Sequence, residues 1–100
     1  MYQMSNTSRM KRLGELAPDA FRAFAEFDAL AVKDGAISRK NKELIAVGVA
    51  LTTQCPYCIE IHLQNAKRAG ATEQELAEAA TVAAALRAGA AVTPATHPLA

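Results

Sequence analysis

The chain has 100 residues, which is enough for one small domain and leaves too few side chains for a second core. Its 11 basic and 10 acidic residues give a net charge of +1, without the one-sided field that binding to nucleic acid or an anionic membrane usually needs. We therefore expect neither a nucleic-acid partner nor a membrane partner.

The hydrophobic half of the sequence is poor in large side chains. It makes up 51% of the chain, but the aromatic residues are only three phenylalanines and two tyrosines. Such a core buries little apolar area per residue, and small chains that lack staples often gain stability by association. We therefore expect a homo-oligomer in which long apolar helices are shared between subunits.

The beginning of the sequence, MYQMSNTSRMKRL, is basic but precedes no apolar run long enough for a signal peptide. Nothing in the sequence approaches the roughly 20 apolar residues of a membrane span. We expect a cytoplasmic protein, and in that compartment two cysteines three positions apart indicate redox or metal chemistry rather than a structural staple.

The first predicted helix runs from about residue 18 to 33. Pro18 suits its first turn, and Phe21, Phe24 and Phe27 recur at helical spacing with charged residues between them.

The second predicted helix has Ser38 as its N-cap and begins with the charged run RKNKE. From Leu44 to Leu51 every residue is apolar or glycine, which predicts a central helix covered on all sides. A run of this length is also compatible with a buried strand. No other convincing strand exists to pair with it, so we favour a helix.

The third predicted helix opens at Cys55 and Pro56 and ends at Gly70. Thr72 followed by Glu75 forms a capping box, which starts a fourth helix that extends to about residue 88. Both ends of the chain lack a hydrophobic period. We therefore predict one all-α domain over residues 1–100, an antiparallel helical bundle with its core at about 18–88 and flexible ends.

Three chemically active side chains share one face of the third helix. Cys55 and Cys58 are three positions apart, and His62 follows Cys58 by four. Two thiols at this spacing can close a disulfide with little rearrangement, and a helix N-terminus favours the thiolate, which is the nucleophile. His62 can exchange a proton with Cys58, and Glu43 is the candidate carboxylate to orient the imidazole if the two helices fold back on each other.

These residues carry a family resemblance. The stretch KELIAVGVALTTQCPYCIEIHLQNAKRAGAT resembles the core of the alkylhydroperoxidase D-like, carboxymuconolactone decarboxylase superfamily over roughly residues 36–86. The shared pattern is a glutamate, a twelve-residue step to C-x-x-C, a histidine four residues later and a Gly-Ala-Thr break.

The resemblance implies a fold, an activity and roles for four residues. It implies an all-helical domain that assembles as a homotrimer or homohexamer and reduces alkyl hydroperoxides without a cofactor or metal. Cys58 attacks the peroxide oxygen, Cys55 resolves the resulting sulfenic acid, and Glu43 with His62 relays protons. A dithiol or lipoyl reductant then restores the thiols. Well-studied peroxidases of this type carry a second histidine where this chain has Tyr57.

Other functions fit parts of the pattern. The four letters CPYC also occur in glutaredoxins, which need strands on both sides of the motif. Two thiolates, an imidazole and a carboxylate could complete a zinc site. Within the same fold, the alternatives are a protein or lipoyl disulfide reductase, a redox-sensing binding protein and, disfavoured by the presence of C-x-x-C, a lactone decarboxylase.

Overall fold

The computed structural model describes residues 2–99, and this part of the chain is almost entirely helical. A 3₁₀ segment, Met4–Arg9, precedes five α-helices, and a second 3₁₀ segment, Pro94–Leu99, follows them. The α-helices are α1 (Met10–Leu16), α2 (Pro18–Ala31), α3 (Arg39–Thr53), α4 (Pro56–Arg68) and α5 (Glu73–Val92). The predicted all-α class is confirmed, and the described residues contain no strand of the kind that a glutaredoxin needs.

Helix α3 is the centre of the fold and packs against both α4 and α5. Val47, Ala50 and Ala66 are the buried apolar residues where these helices meet. At Gly48 an added Cβ would lie 3.7 Å from the Cβ of Ala83, so small residues let α5 approach α3 closely. The core is therefore small, as the alanine-rich composition predicts.

Local signals in the sequence place the helix starts correctly. The Ser38 hydroxyl accepts a hydrogen bond from the backbone N–H of Asn41. The Thr72 hydroxyl accepts from the N–H of Glu75, whose carboxylate accepts from the N–H of Thr72. These bonds satisfy backbone donors that a helix leaves open at its N-terminus.

A two-residue connection turns the chain from α3 into α4. Gln54 ends α3 in the left-handed region, with φ of 57°, and Cys55 is the N-cap of α4. A left-handed residue after a helix reverses the chain sharply. The turn folds α4 back along α3 and brings residues early in α3 beside residues in the middle of α4.

Helix α3 is not covered on all sides, which corrects the expectation drawn from its apolar run. Ile45 and Val49 are each 55% exposed. They line an apolar groove between α3 and α5 together with Val82 and Leu86, which are also exposed. The run is apolar around the whole helix, and α4 and α5 cover only part of that circumference.

The ends of the chain are more helical than their irregular sequence suggests. Residues 4–16 form a 3₁₀ segment and α1, while α5 continues past Gly89 to Val92. One glycine costs a helix only about 1 kcal/mol, so the alanines around Gly89 sustain the helix until Pro94 prevents its continuation. Helix α2 ends at Ala31, two residues before the predicted end.

The chain is elongated for its length. Its radius of gyration is 16.5 Å, whereas a compact domain of 100 residues has about 13 Å. Helix α1 packs on α2, yet Phe24, Phe27 and Leu30 of α2 are 54%, 71% and 58% exposed.

Among residues 2–99, one helical segment, Glu73–Leu99, is long and apolar enough to cross a membrane by length and composition alone. The expectation that nothing in the sequence approaches a membrane span is wrong for this segment. Its glutamates cluster in its first turns, which leaves a long alanine-rich remainder. This is the helix that packs on α3.

Candidate functional site

The two cysteines are joined in a disulfide at the beginning of α4. Their Cα atoms are 5.3 Å apart, within the usual range for a disulfide. The C-x-x-C spacing therefore places the two sulfurs in direct bonding contact. Both residues are only partly buried, so a small molecule in solution can reach the pair.

Cys55 holds a special position because it is the N-cap of α4. Its Sγ accepts a hydrogen bond from the backbone N–H of Cys58 at 3.2 Å, and Pro56 occupies the first helical turn. Hydrogen-bond donors and the positive end of the helix dipole favour negative charge at this point. A negative charge on the Cys55 sulfur would meet both of these features.

Glu43 and His62 meet across the contact between α3 and α4. The Nδ1 of His62 lies 2.8 Å from Oε2 of Glu43. The Glu43 side chain is fully buried, while that of His62 is 21% exposed. The turn through Gln54 thus brings together two residues that the sequence separates by 19 positions, as folding back of the two helices would require.

Arg39 is a third member of this cluster that sequence reasoning did not single out. Its Nε donates to Oε1 of Glu43 at 3.3 Å, so each carboxylate oxygen has one partner. Arg39 and Glu43 are four positions apart in one helix, and this spacing is a known signal for an ion pair. A buried charge needs such partners to offset the loss of hydration.

This arrangement determines which nitrogen of His62 can act as a base. When the Glu43 carboxylate is ionised it can only accept, so Nδ1 then carries the hydrogen of this contact. Nε2 is then the basic nitrogen. Cys58 precedes His62 by four positions in α4, so both side chains lie on the same face.

Tyr57, between the cysteines, contacts the residues before and within the first 3₁₀ segment. Its hydroxyl accepts hydrogen bonds from Asn6 Nδ2 at 3.0 Å and from the backbone N–H of Gln3 at 3.4 Å. The ring of Tyr2 packs edge-on against it, with centroids 4.8 Å apart. Nothing in the hydrophobic period of the first residues announces these contacts, because they join positions more than 50 residues apart.

A pocket of about 360 Å³ opens beside Cys58. Its lining comes from the first 3₁₀ segment, from α1 and from α4: Asn6, Thr7, Met10, Tyr57, Cys58 and Ile61. The lining contains no charged side chain and is mostly apolar in surface.

The residues proposed as zinc ligands do not converge as a set. Within residues 2–99 no group of three or more histidine, cysteine, aspartate and glutamate side chains has a geometry that could hold a metal ion. The two sulfurs are bonded to each other, and Glu43 directs its two oxygens to His62 and Arg39.

Comparison with protein families gives one match that spans most of the chain. The model of the carboxymuconolactone decarboxylase family matches residues 18–100. A Paracoccus denitrificans protein named uncharacterized protein 4 in cox locus is 47% identical over 89 residues, which cover 89% of this chain and 78% of that protein. An uncharacterized Cupriavidus necator protein is 39% identical over 66 residues, or 66% of this chain and 58% of that protein.

Two solved structures share the fold. A carboxymuconolactone decarboxylase family protein from Legionella pneumophila, solved in its apo form, aligns with a TM-score of 0.78 and 34% identity, over 82% of this chain and 73% of that one. A protein from Methanobacterium thermoautotrophicum aligns with a TM-score of 0.82 and 36% identity, over 90% of this chain and 98% of that one.

Proposed function

The chain belongs to the carboxymuconolactone decarboxylase family, and from that premise we propose that it is a thiol peroxidase that reduces organic hydroperoxides through Cys55 and Cys58. The observation that carries the proposal is the disulfide at the start of α4, in the helix whose next turn bears His62 paired with buried Glu43. These are the groups that such a reaction needs: two thiols that can close, and a base held in one orientation.

The first half of the cycle is attack of Cys58 on the peroxide. The sulfur of Cys58 bonds to the terminal oxygen of ROOH, the O–O bond breaks, and the thiol proton reaches the departing RO⁻ through His62. The products are Cys58–SOH and ROH. Glu43 stabilises the imidazolium that exists between the two proton transfers, and its burial beside Arg39 keeps it in place.

The second half closes and reopens the disulfide. Cys55 attacks the sulfur of Cys58–SOH, which releases water and forms the bond present in the structure. A dithiol, which we propose to be a lipoyl group or a partner protein in the cytoplasm, then reduces the bond by exchange and is itself oxidised to a disulfide. Cys55 leaves readily in that exchange because its sulfur caps α4.

A second candidate, disulfide reductase activity, is favoured by the capping of α4 by Cys55. A thiolate stabilised in this way suits dithiol-disulfide exchange with a protein or lipoyl partner. The two functions differ in their first step, since only the peroxidase forms a sulfenic acid at Cys58. A lactone decarboxylase would have no use for the cysteine pair.

We also propose that the protein works as a homotrimer or homohexamer. The apolar groove between α3 and α5 and the exposed phenylalanines of α2 support association of like chains, because monomers rarely leave several such surfaces open.

Mass spectrometry of the thiols after one equivalent of cumene hydroperoxide tests the peroxidase. We expect the reduced wild-type protein to form the disulfide, Cys55→Ser to accumulate a sulfenic acid at Cys58, and Cys58→Ser to form neither. Equal consumption of peroxide by wild type and Cys58→Ser would contradict the proposal, and reduction of a disulfide such as oxidised lipoamide by the reduced protein, without any peroxide reaction, would favour the reductase.

A further inference from the structure

Tyr57 is placed to hold a neighbouring segment rather than to transfer protons. Its hydroxyl is the acceptor for Asn6 Nδ2 and for the Gln3 N–H, and its ring packs against Tyr2. Both hydrogen bonds come from residues before or within the first 3₁₀ segment. The residue between the two cysteines therefore ties that segment to the start of α4.

This attachment builds one wall of the pocket beside Cys58. Asn6, Thr7 and Met10 supply that wall, while Tyr57, Cys58 and Ile61 supply the other. Without the first segment and α1, the face of α4 that bears Cys58 would be open to solvent on this side. The pocket thus exists because distant parts of the sequence meet at Tyr57.

The chemistry of the lining indicates the kind of group that fits. The six residues include no formal charge, and their exposed surface is mostly apolar. The volume of about 360 Å³ falls within the usual range of pockets for small organic ligands, about 300–1,000 Å³. An aryl or branched alkyl group gains by leaving water here, whereas hydrogen peroxide has no group to place in the pocket.

We propose that the segment of residues 4–10, held by the Tyr57 hydroxyl, is a specificity wall that binds the apolar substituent of the substrate next to Cys58. The inference rests on the proposed peroxidase function and adds the part of the molecule that selects the substrate. The substituent R of ROOH stays unchanged through the reaction and leaves as ROH, so the same wall also contacts the product alcohol.

The test compares two peroxides on the reduced protein in a single turnover. Rate constants for loss of the thiols are measured with cumene hydroperoxide and with hydrogen peroxide, by rapid quenching with an alkylating agent and mass spectrometry. Their ratio isolates the contribution of the apolar group, since the attack on oxygen is common to both. This assay requires no reducing partner.

Met10→Ala and Ile61→Ala each remove an apolar side chain from the wall. We expect each to lower the ratio of the rate constant with cumene hydroperoxide to the rate constant with hydrogen peroxide about tenfold. Leu13→Ala is the matched control, because Leu13 lies one turn after Met10 in α1, is 53% exposed and is not part of the lining. We expect its ratio to equal that of wild type. Equal ratios in all four proteins would overturn the inference.

Tyr57→Phe tests the attachment separately from the wall. It keeps the ring and removes the oxygen that accepts from Asn6 and Gln3. We expect the ratio to fall severalfold, and we expect faster hydrogen exchange in the backbone of residues 4–9. An unchanged ratio with unchanged exchange would overturn the role of Tyr57.

Binding of the product alcohol, 2-phenylpropan-2-ol, separates this inference from the proposed function. If wild type reacts with neither peroxide, the peroxidase proposal fails, and NMR titration with the alcohol still decides the pocket. Shifts at Tyr57 and Ile61, two lining residues, that weaken in Met10→Ala but not in Leu13→Ala would support the pocket. Absence of such shifts in wild type would overturn it whatever the peroxide result.

Discussion

Nδ1 of His62 lies 2.8 Å from Oε2 of Glu43, a fully buried carboxylate that also accepts from Arg39. The contact joins the first turns of α3 to the middle of α4. It places a negative charge where it can orient an imidazole and stabilise that ring when it is protonated.

Glu43→Gln keeps the shape of the side chain and removes its charge. We expect thiol oxidation by cumene hydroperoxide to slow about 100-fold, because positioned acid-base groups contribute at least that much. The rate is measured on the reduced protein in a single turnover. Glu78→Gln, the same substitution at an exposed position of α5, is the control and should react like wild type. Equal rates for the two variants would contradict a role for Glu43.

Because Glu43 pairs with His62, we expect substitutions of the two residues to have non-additive effects on the rate of thiol oxidation. Once His62→Gln has removed the imidazole, the carboxylate has nothing to orient, so adding Glu43→Gln should slow the reaction little further. A double-mutant cycle on the single-turnover rate measures this coupling. Strictly additive losses would show that the two residues act independently.

The ion pair between Lys40 and Glu75, outside the site, predicts how the folding stability depends on pH. Lys40 Nζ donates to Oε2 of Glu75 at 2.8 Å, and the Thr72 N–H donates to Oε1 at 2.9 Å. These bonds hold the pKa of Glu75 below its ordinary value of 4.5. A carboxyl group whose pKa is lower in the folded state than in the unfolded chain stabilises the fold at any pH above its pKa in the unfolded chain. That contribution disappears as the pH falls through the pKa of the folded state.

Urea unfolding of wild type and Glu75→Gln from pH 7 to pH 3 tests this directly. We expect wild type to be the more stable protein at pH 7 and its advantage to shrink below about pH 4.5. Lys40→Met removes the main partner of Glu75 and should reduce the pH-dependent part of the difference. A wild-type advantage that is constant across the range would contradict the assignment.

The exposed apolar surfaces predict that the chain associates with copies of itself. Light scattering should give a mass well above the 10.6 kDa of one chain. Val49→Asp places a charge in the groove between α3 and α5 and should shift the protein toward smaller species, since a buried unpaired charge is costly. Gln64→Asp adds the same charge at an exposed position of α4 outside the groove and is the control. A wild-type protein that stays at 10.6 kDa would exclude the proposed oligomer.

The features that the sequence alone predicts correctly depend on local chemistry. Ser38 and the Thr72–Glu75 pair mark helix starts because their bonds lie within one turn. The closed Cys55–Cys58 bond likewise follows from a spacing of three residues. The catalytic roles of the cysteines come from family resemblance and stay predictions.

Features that depend on distant contacts escape sequence reasoning. The first dozen residues lack a hydrophobic period, yet Gln3 and Asn6 meet Tyr57 across more than 50 positions. The apolar run of α3 likewise predicts burial on all sides, whereas Ile45 and Val49 are exposed in the structure. Arg39 is an intermediate case. Its spacing of four positions from Glu43 can be recognised in the sequence, but the burial of Glu43 cannot.

The short span of the cysteine pair has a consequence for the whole molecule. With Cα atoms already 5.3 Å apart at the start of one helix, opening the bond requires rotation of side chains and leaves the backbone in place. The oxidised and reduced proteins should therefore be nearly superimposable. A crystal of the disulfide form soaked in a reducing agent should keep its lattice, and the same crystal could then be reoxidised by peroxide without cracking.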